Sequence, residues 1–277
     1  MTLSAPQASV GSSLPSRPCD AALLIVGHGT RDAAGVAQFL TLVREVADLC
    51  PDVAVEPSFL ELAQPSIAEG VDRAVLRGAR RLTVMPLLLF AAGHAKHDIP
   101  RSVAAAARRH VGLEVRQAGH LGCHSAVLEL SERRFREAVA TLQDVPDGDT
   151  LLLLVGRGSN DAEATGELHQ FARLRGERQP FGRIEVCFLA MAEPSLEKAL
   201  YSIAGLPFRR VVVQPHLLFS GELLDRLRQI IAVRAAAEQP GTEGPRREWV
   251  IAESLGSDAG LALAVVEISS CVGQGSP

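Results

Sequence analysis

The sequence predicts an α/β protein of two homologous lobes, each a doubly wound parallel sheet, with a cleft between them. Three observations carry this expectation. Short apolar runs alternate with amphipathic stretches of helical period along nearly the whole chain. The alternation breaks once, at the polar linker 143–149 (QDVPDGD), and then restarts. The restart repeats the opening in a single register. Gly27-His28-Gly29 returns as Gly156-Arg157-Gly158, Phe59-Leu60-Glu61 as Phe188-Leu189-Ala190, and Val84-Met85-Pro86 as Val213-Gln214-Pro215, each 129 positions further on. One register held across three motifs marks an internal duplication. Two cores are also the expectation for 277 residues.

In the first copy, residues 23–26 read as a buried strand that stops at a histidine between two glycines. Residues 33–49 follow as a helix, with Val36, Phe39, Leu40, Val43 and Val46 at helical spacing. Residues 53–60 are a second strand, and 65–77 a helix with proline in its first turn. Residues 81–88 are a third strand, and 99–109 an alanine-rich helix whose start Asp98 and Pro100 mark. A fourth strand at 111–117 and a helix at 125–142 close the unit. The lobes are thus expected at 21–144 and 149–272, after a disordered tail at 1–20. Residues 238–247 read as a polar loop and 273–277 as a frayed end.

Composition excludes several functions. A net charge of −4 and 4% aromatic residues give no electrostatic or stacking basis for nucleic-acid binding. No apolar run approaches the roughly 18 residues of a membrane span, and the N-terminal stretch lacks the apolar core of a signal peptide. The five cysteines show no CxxC spacing, as expected for reduced thiols in a cytoplasmic protein.

A duplicated chain offers an internal control, because scaffold residues persist in both copies while chemistry can survive in one. The glycines around His28 recur, but His28 itself becomes Arg157 and Glu61 becomes Ala190. The segment Ala91-Ala92-Gly93-His94-Ala95-Lys96-His97 becomes one without histidine. His28, Glu61, His94 and His97 therefore belong to the first copy alone, all at or just beyond the carboxyl ends of predicted strands. Ligands bind at those ends in open α/β sheets. Imidazoles and a carboxylate on one rim suit a divalent metal left incompletely coordinated, or bases working near neutral pH.

GHGTRD at the first strand end, FLELAQPS at the second and PLLLFAAGHAKHDIP at the third resemble the sirohydrochlorin chelatase family of the CbiX/SirB type. His120-Leu121-Gly122-Cys123-His124 resembles that family's fourth-strand loop. The resemblance implies two flavodoxin-like lobes and insertion of a divalent metal into sirohydrochlorin, with metal and tetrapyrrole both substrates and no organic cofactor. Fe²⁺, giving sirohaem, is the favoured metal; Co²⁺ for the cobalamin pathway and Ni²⁺ are the alternatives. It also implies that His28 and His94 bind the metal and handle the pyrrole protons. A functional monomer is expected, since one chain encloses the cleft. A metal or tetrapyrrole carrier that does not catalyse remains a competing reading. A histidine phosphatase does not fit: its His-Gly follows an arginine that grips phosphate, and here Gly27 stands in that place.

The catalytic set expected is His28, His94 and Glu61, although Glu61 could instead pair with Arg31 or Lys96 at the rim. Gly29 and Gly93 are expected to permit positive φ and close approach of a flat ligand. Arg157 could bind substrate carboxylates or form a structural ion pair. His97 reads as a surface residue, His120 and His124 as loop-shaping, and His216 as a satisfied core or cleft-wall residue. His110 and His169 are expected on helices, solvated.

Overall fold

The computed structural model describes residues 19–90, 93–238 and 247–270; the expected tail up to residue 18, most of the loop 238–247 and the end 273–277 lie outside them. Eight strands form two four-stranded sheets. β1 (Ala21–Gly27), β2 (Ala54–Phe59), β3 (Arg81–Pro86) and β4 (Glu114–Gln117) pair in the order β2-β1-β3-β4. β5 (Thr150–Gly156), β6 (Arg183–Phe188), β7 (Arg210–Pro215) and β8 (Glu248–Ile251) repeat it as β6-β5-β7-β8. Every pairing is parallel. Central strands β1 and β5 are apolar almost throughout because helices cover both faces.

The sequence dictates the helix starts. Asp32 caps α1 (Ala33–Leu49), its Oδ1 accepting from Gly35 N at 2.6 Å. Ser66 and Glu69 form a reciprocal capping box on α2 (Ile67–Leu76). In the second copy Asp161 caps α5 (Ala162–Arg178) and Ser195 caps α6 (Leu196–Ser202). α3 (Ile99–Ala107) differs from expectation at its start. A π-helical turn, His94–Asp98, leads into it, and Asp98 makes no side-chain cap. π-helical turns are frequent at functional sites.

The packing departs from the linear order of the repeat. One face of the first sheet is covered by α2 and α3, through Val71, Ala74, Val103 and Ala106. The other face is covered by α1 together with α8 (Ala259–Ser270), the last helix of the second copy: Leu261 and Val265 share a core with Leu23, Ile25, Leu42 and Val46. Reciprocally, α4 (Ser125–Val139), the last helix of the first copy, sends Phe135 into a cluster with Leu152, Val212 and Ala252 of the second sheet. Buried polar bonds fix it there. Ser131 Oγ accepts from Arg175 Nε at 3.1 Å, and its carbonyl from Gln214 Nε2 at 2.7 Å. α7 (Glu222–Ala237) and α6 cover the remaining face. The two copies thus exchange their closing helices.

Several sequence expectations shift at their edges. β4 begins at Glu114, not Val111, which is fully exposed in a turn. α4 ends at Val139. His110 lies in the turn after α3, not on a solvated helix face, with Nε2 2.7 Å from Asp72 Oδ1. His169 is exposed on α5, as expected. The four described cysteines, Cys19, Cys50, Cys123 and Cys187, are free thiols. No described helix is long and apolar enough to cross a membrane.

Candidate active site

The order of each sheet reverses between its first and third strands, and crevices form at such switch points. The carboxyl ends of β1 and β3 face those of β5 and β7 across a cavity of about 840 Å³. Residues 27–31 and 87–90 line it from one side, and residues 156–161 and 216–224 from the other. Its volume falls within the range of small-molecule sites, roughly 300–1,000 Å³.

The turn after β1 is built identically in both copies. Gly29 has φ +99° and Gly158 +92°. A Cβ on Gly29 would lie 1.7 Å from the carbonyl oxygen of Glu61, and one on Gly158 would lie 1.8 Å from that of Ala190. Glycine is therefore required to bring the β1 turn against the β2 turn. The obstacle is backbone, rather than the flat ligand anticipated from the sequence. The two turns are bonded together: Glu61 N donates to His28 O at 3.0 Å, and Ala190 N to Arg157 O at 2.9 Å. Gly93 has no such need. Its φ is not positive and a Cβ there would meet open space, although it lines the cavity.

On this scaffold the first copy alone mounts His28 and Glu61. The His28 Nε2 lies 3.4 Å from Glu61 Oε1; the imidazole is 19% exposed and the carboxylate 51%. Glu61 thus pairs with His28, and not with Arg31 or Lys96. His94 opens the π-helical turn at the end of the segment leaving β3, between Gly93 and Asp98, which both line the cavity. The described residues contain no group of three or more His, Cys, Asp or Glu side chains able to hold a metal by themselves.

Arg157 is exposed on the opposite wall and makes no ion pair among the described residues. Arg31, beside His28, is likewise exposed on the cavity wall without one. The structural ion pair considered for Arg157 is absent from the described contacts. One exposed guanidinium from each lobe thus lines the cavity.

Lys96, in the π-helical turn, reaches the second lobe. Its Nζ lies 2.8 Å from Asp161 Oδ2 and 2.7 Å from Glu163 Oε2. The bond to Asp161 holds the ammonium well above its ordinary range, and the same bond holds the Asp161 carboxyl below its own. His97 is exposed. His120 Nε2 pairs with Glu167 at 3.0 Å, and His124 caps α4 while its Nε2 lies 3.2 Å from Glu267. These contacts tie the loop between β4 and α4 to α5 and α8 and stand outside the cavity lining.

His216 occupies the second-copy position of Leu87. It forms the cavity wall as expected, but it is not a satisfied histidine. The ring is 3% exposed, stacks on Phe90 at 5.1 Å and leans on Phe171 at 4.3 Å. Its Nε2 has no hydrogen-bond partner among the described residues, and burial pushes its pKa down to about 3. Sequence reasoning also missed Arg31, Leu62 and Met191 on the cavity wall. For Arg31 the signal was present, since its counterpart is the neutral Asn160.

The CbiX family model matches residues 22–138 and 151–270, nearly the whole described chain. A sirohydrochlorin ferrochelatase of Priestia megaterium is 31% identical over 241 residues, 87% of this chain and 86% of that protein. A sirohydrochlorin cobaltochelatase of the same organism is 30% identical over 210 residues, 76% of this chain and 68% of that protein. The structure of SirB from Bacillus subtilis with Fe³⁺ superposes with a TM-score of 0.78 at 25% identity, over 91% of this chain and 97% of that one. Duplicated lobes, a cavity between opposed strand ends, a histidine on one wall paired with a carboxylate and these likenesses agree: the chain belongs to the CbiX family.

Proposed function

We propose that this protein is a sirohydrochlorin chelatase that inserts Fe²⁺ into the tetrapyrrole to give sirohaem, with His28, His94 and Glu61 as the reacting groups. The observation that carries this reading is the His28–Glu61 pair, 3.4 Å apart with His28 on the cavity wall, opposite a copy that puts Arg157 in the same turn. Insertion exchanges two pyrrole N–H protons for one divalent cation. In this reading the imidazoles of His28 and His94 bind the cation and leave coordination positions for the ring nitrogens. The His28 imidazole and the Glu61 carboxylate then take the released protons. Arg31 and Arg157 face the carboxylates around the macrocycle, which a guanidinium binds bidentately. Co²⁺ is the second reading, favoured by likeness to a cobaltochelatase and by ligands that accept either ion.

The test is anaerobic incubation with sirohydrochlorin and Fe²⁺ or Co²⁺ at substoichiometric protein, followed by absorbance. Conversion of many equivalents is expected, faster with Fe²⁺. His28→Ala and His94→Ala should each lose at least about 100-fold in rate, on the scale of losing a group that acts on the reacting atoms, with unchanged circular dichroism. A spectral change limited to one equivalent would identify a carrier. Wild-type turnover in both variants would overturn the site assignment.

A further inference from the structure

Leu62 and Met191 are the only non-glycine residues with positive φ among the described residues, at +64° and +57°. They occupy equivalent positions in the two copies, each directly after the residue whose N–H locks the β2 or β6 turn onto the β1 or β5 turn. Both are large apolar side chains left 48% and 53% exposed, and both line the same cavity, one from each lobe.

Neither side chain is explained by folding. The left-handed conformation favours glycine or asparagine, and a leucine or methionine there strains the backbone. Burial does not compensate, because about half of each side chain remains in contact with solvent. The residues around them have diverged between copies, His28 to Arg157 and Glu61 to Ala190. The strained conformation and the apolar character have been kept on both sides. Strain held at a cavity wall without a structural return points to something that arrives there.

We propose that Leu62 and Met191 form a two-sided apolar clasp that grips a planar macrocycle, one residue from each lobe, while the charged rim holds its carboxylates. The proposal rests on the chelatase reading and deepens it by assigning the contacts to the uncharged part of the substrate. A conjugated ring with ionised groups only at its edge presents two apolar faces. Unbranched and γ-branched side chains, which are adaptable in shape, suit such faces better than a rigid β-branched residue. Both side chains line the cavity where the β2 and β6 turns end.

The test uses the full chain with Leu62→Gly, Met191→Gly and both together, and with Leu62→Asn and Met191→Asn, which also tolerate the left-handed backbone but are polar. Binding of metal-free sirohydrochlorin is titrated by absorbance, KM and kcat are measured with saturating Fe²⁺, and unfolding is followed thermally. Each single substitution is expected to raise Kd and KM about tenfold, the scale of one lost apolar side-chain contact. The double variant should be weaker still, kcat should change less than KM, and the unfolding midpoint should be equal to or above that of the wild type. Leu62→Met and Met191→Leu should bind within about twofold of wild type. Glycine and asparagine variants that bind like wild type would overturn the clasp and leave the chelatase reading standing. So would variants that lose folding stability with unaltered Kd. A wild-type chain that neither binds nor metallates sirohydrochlorin would overturn both.

Discussion

Lys96 of the first lobe ends 2.8 Å from the carboxylate of Asp161 in the second, and Asp161 is the residue that caps α5. A second carboxylate, Glu163, lies 2.7 Å from the same ammonium. The turn that carries His94 is thereby tied to the second lobe at Asp161, which lines the cavity. Exposed pairs contribute little to global stability, so the expected consequence is local. Lys96→Met should accelerate amide hydrogen exchange in residues 93–98 and lower kcat/KM, while the thermal midpoint moves by less than about 2 °C. Unaltered exchange in that segment would show that the pair does not hold it.

The β1 and β5 turns make a paired prediction about glycine. Gly29→Ala and Gly158→Ala each drive a Cβ to under 2 Å from a backbone carbonyl oxygen, so both should cost about 2–4 kcal/mol in unfolding free energy. Gly158 has Arg157 and not a histidine beside it, so an equal loss there would show that the requirement belongs to the turn. Gly93→Ala meets open space and should stay within about 0.5 kcal/mol of wild type. Chemical denaturation of the three variants decides between these outcomes.

Arg157 and Arg31 lack ion pairs among the described residues while lining the cavity from opposite lobes. Arg157→Ala is expected to raise the KM for sirohydrochlorin about tenfold with little change in kcat, the signature of lost uniform binding. Arg157→Lys should recover only part of this, because the planar fork is lost. An unchanged KM in Arg157→Ala would remove this residue from the substrate site.

His216 gives the chain an acid sensitivity of known sign. Burial lowers its pKa from the ordinary 6.5 to about 3. Between those values the unfolded chain binds a proton that the folded chain does not. The stabilisation is therefore complete above pH 6.5 and is lost as the pH falls toward 3, by about 1.4 kcal/mol per unit for one proton. His216→Phe keeps a ring against Phe90 and Phe171 and removes the titration. Its unfolding free energy should be flatter than that of wild type between pH 6.5 and 4, and equal or higher at pH 7.5 because the unpartnered Nε2 is gone. Denaturant curves across that range check it, and parallel profiles would contradict it.

Much of the site was legible because the chain carries its own comparison. The register linking His28 to Arg157 located both β-turns, and the capping residues Asp32, Ser66, Asp161 and Ser195 marked helix starts by purely local chemistry. Gly29 was legible for the same reason, since a positive φ is a property of its own turn. Gly93 was misread. A glycine beside a histidine in an apolar segment looks like a turn glycine, but here it enters a helical turn.

By itself, the sequence determined the four strands of the first copy, their parallel pairing, the existence of a second copy, and the confinement of His28, Glu61 and His94 to one copy. These follow from periodicity, capping and repeat, which act over a few residues or compare like with like. Only the tertiary structure decided that α4 and α8 exchange lobes, that Glu61 faces His28, that Lys96 bridges to Asp161, and that His216 is stacked and unpartnered. An apolar helix face specifies that it must be covered, not which sheet will cover it. The partner of a charge or a ring is chosen by residues that approach only once both lobes have closed on the cavity.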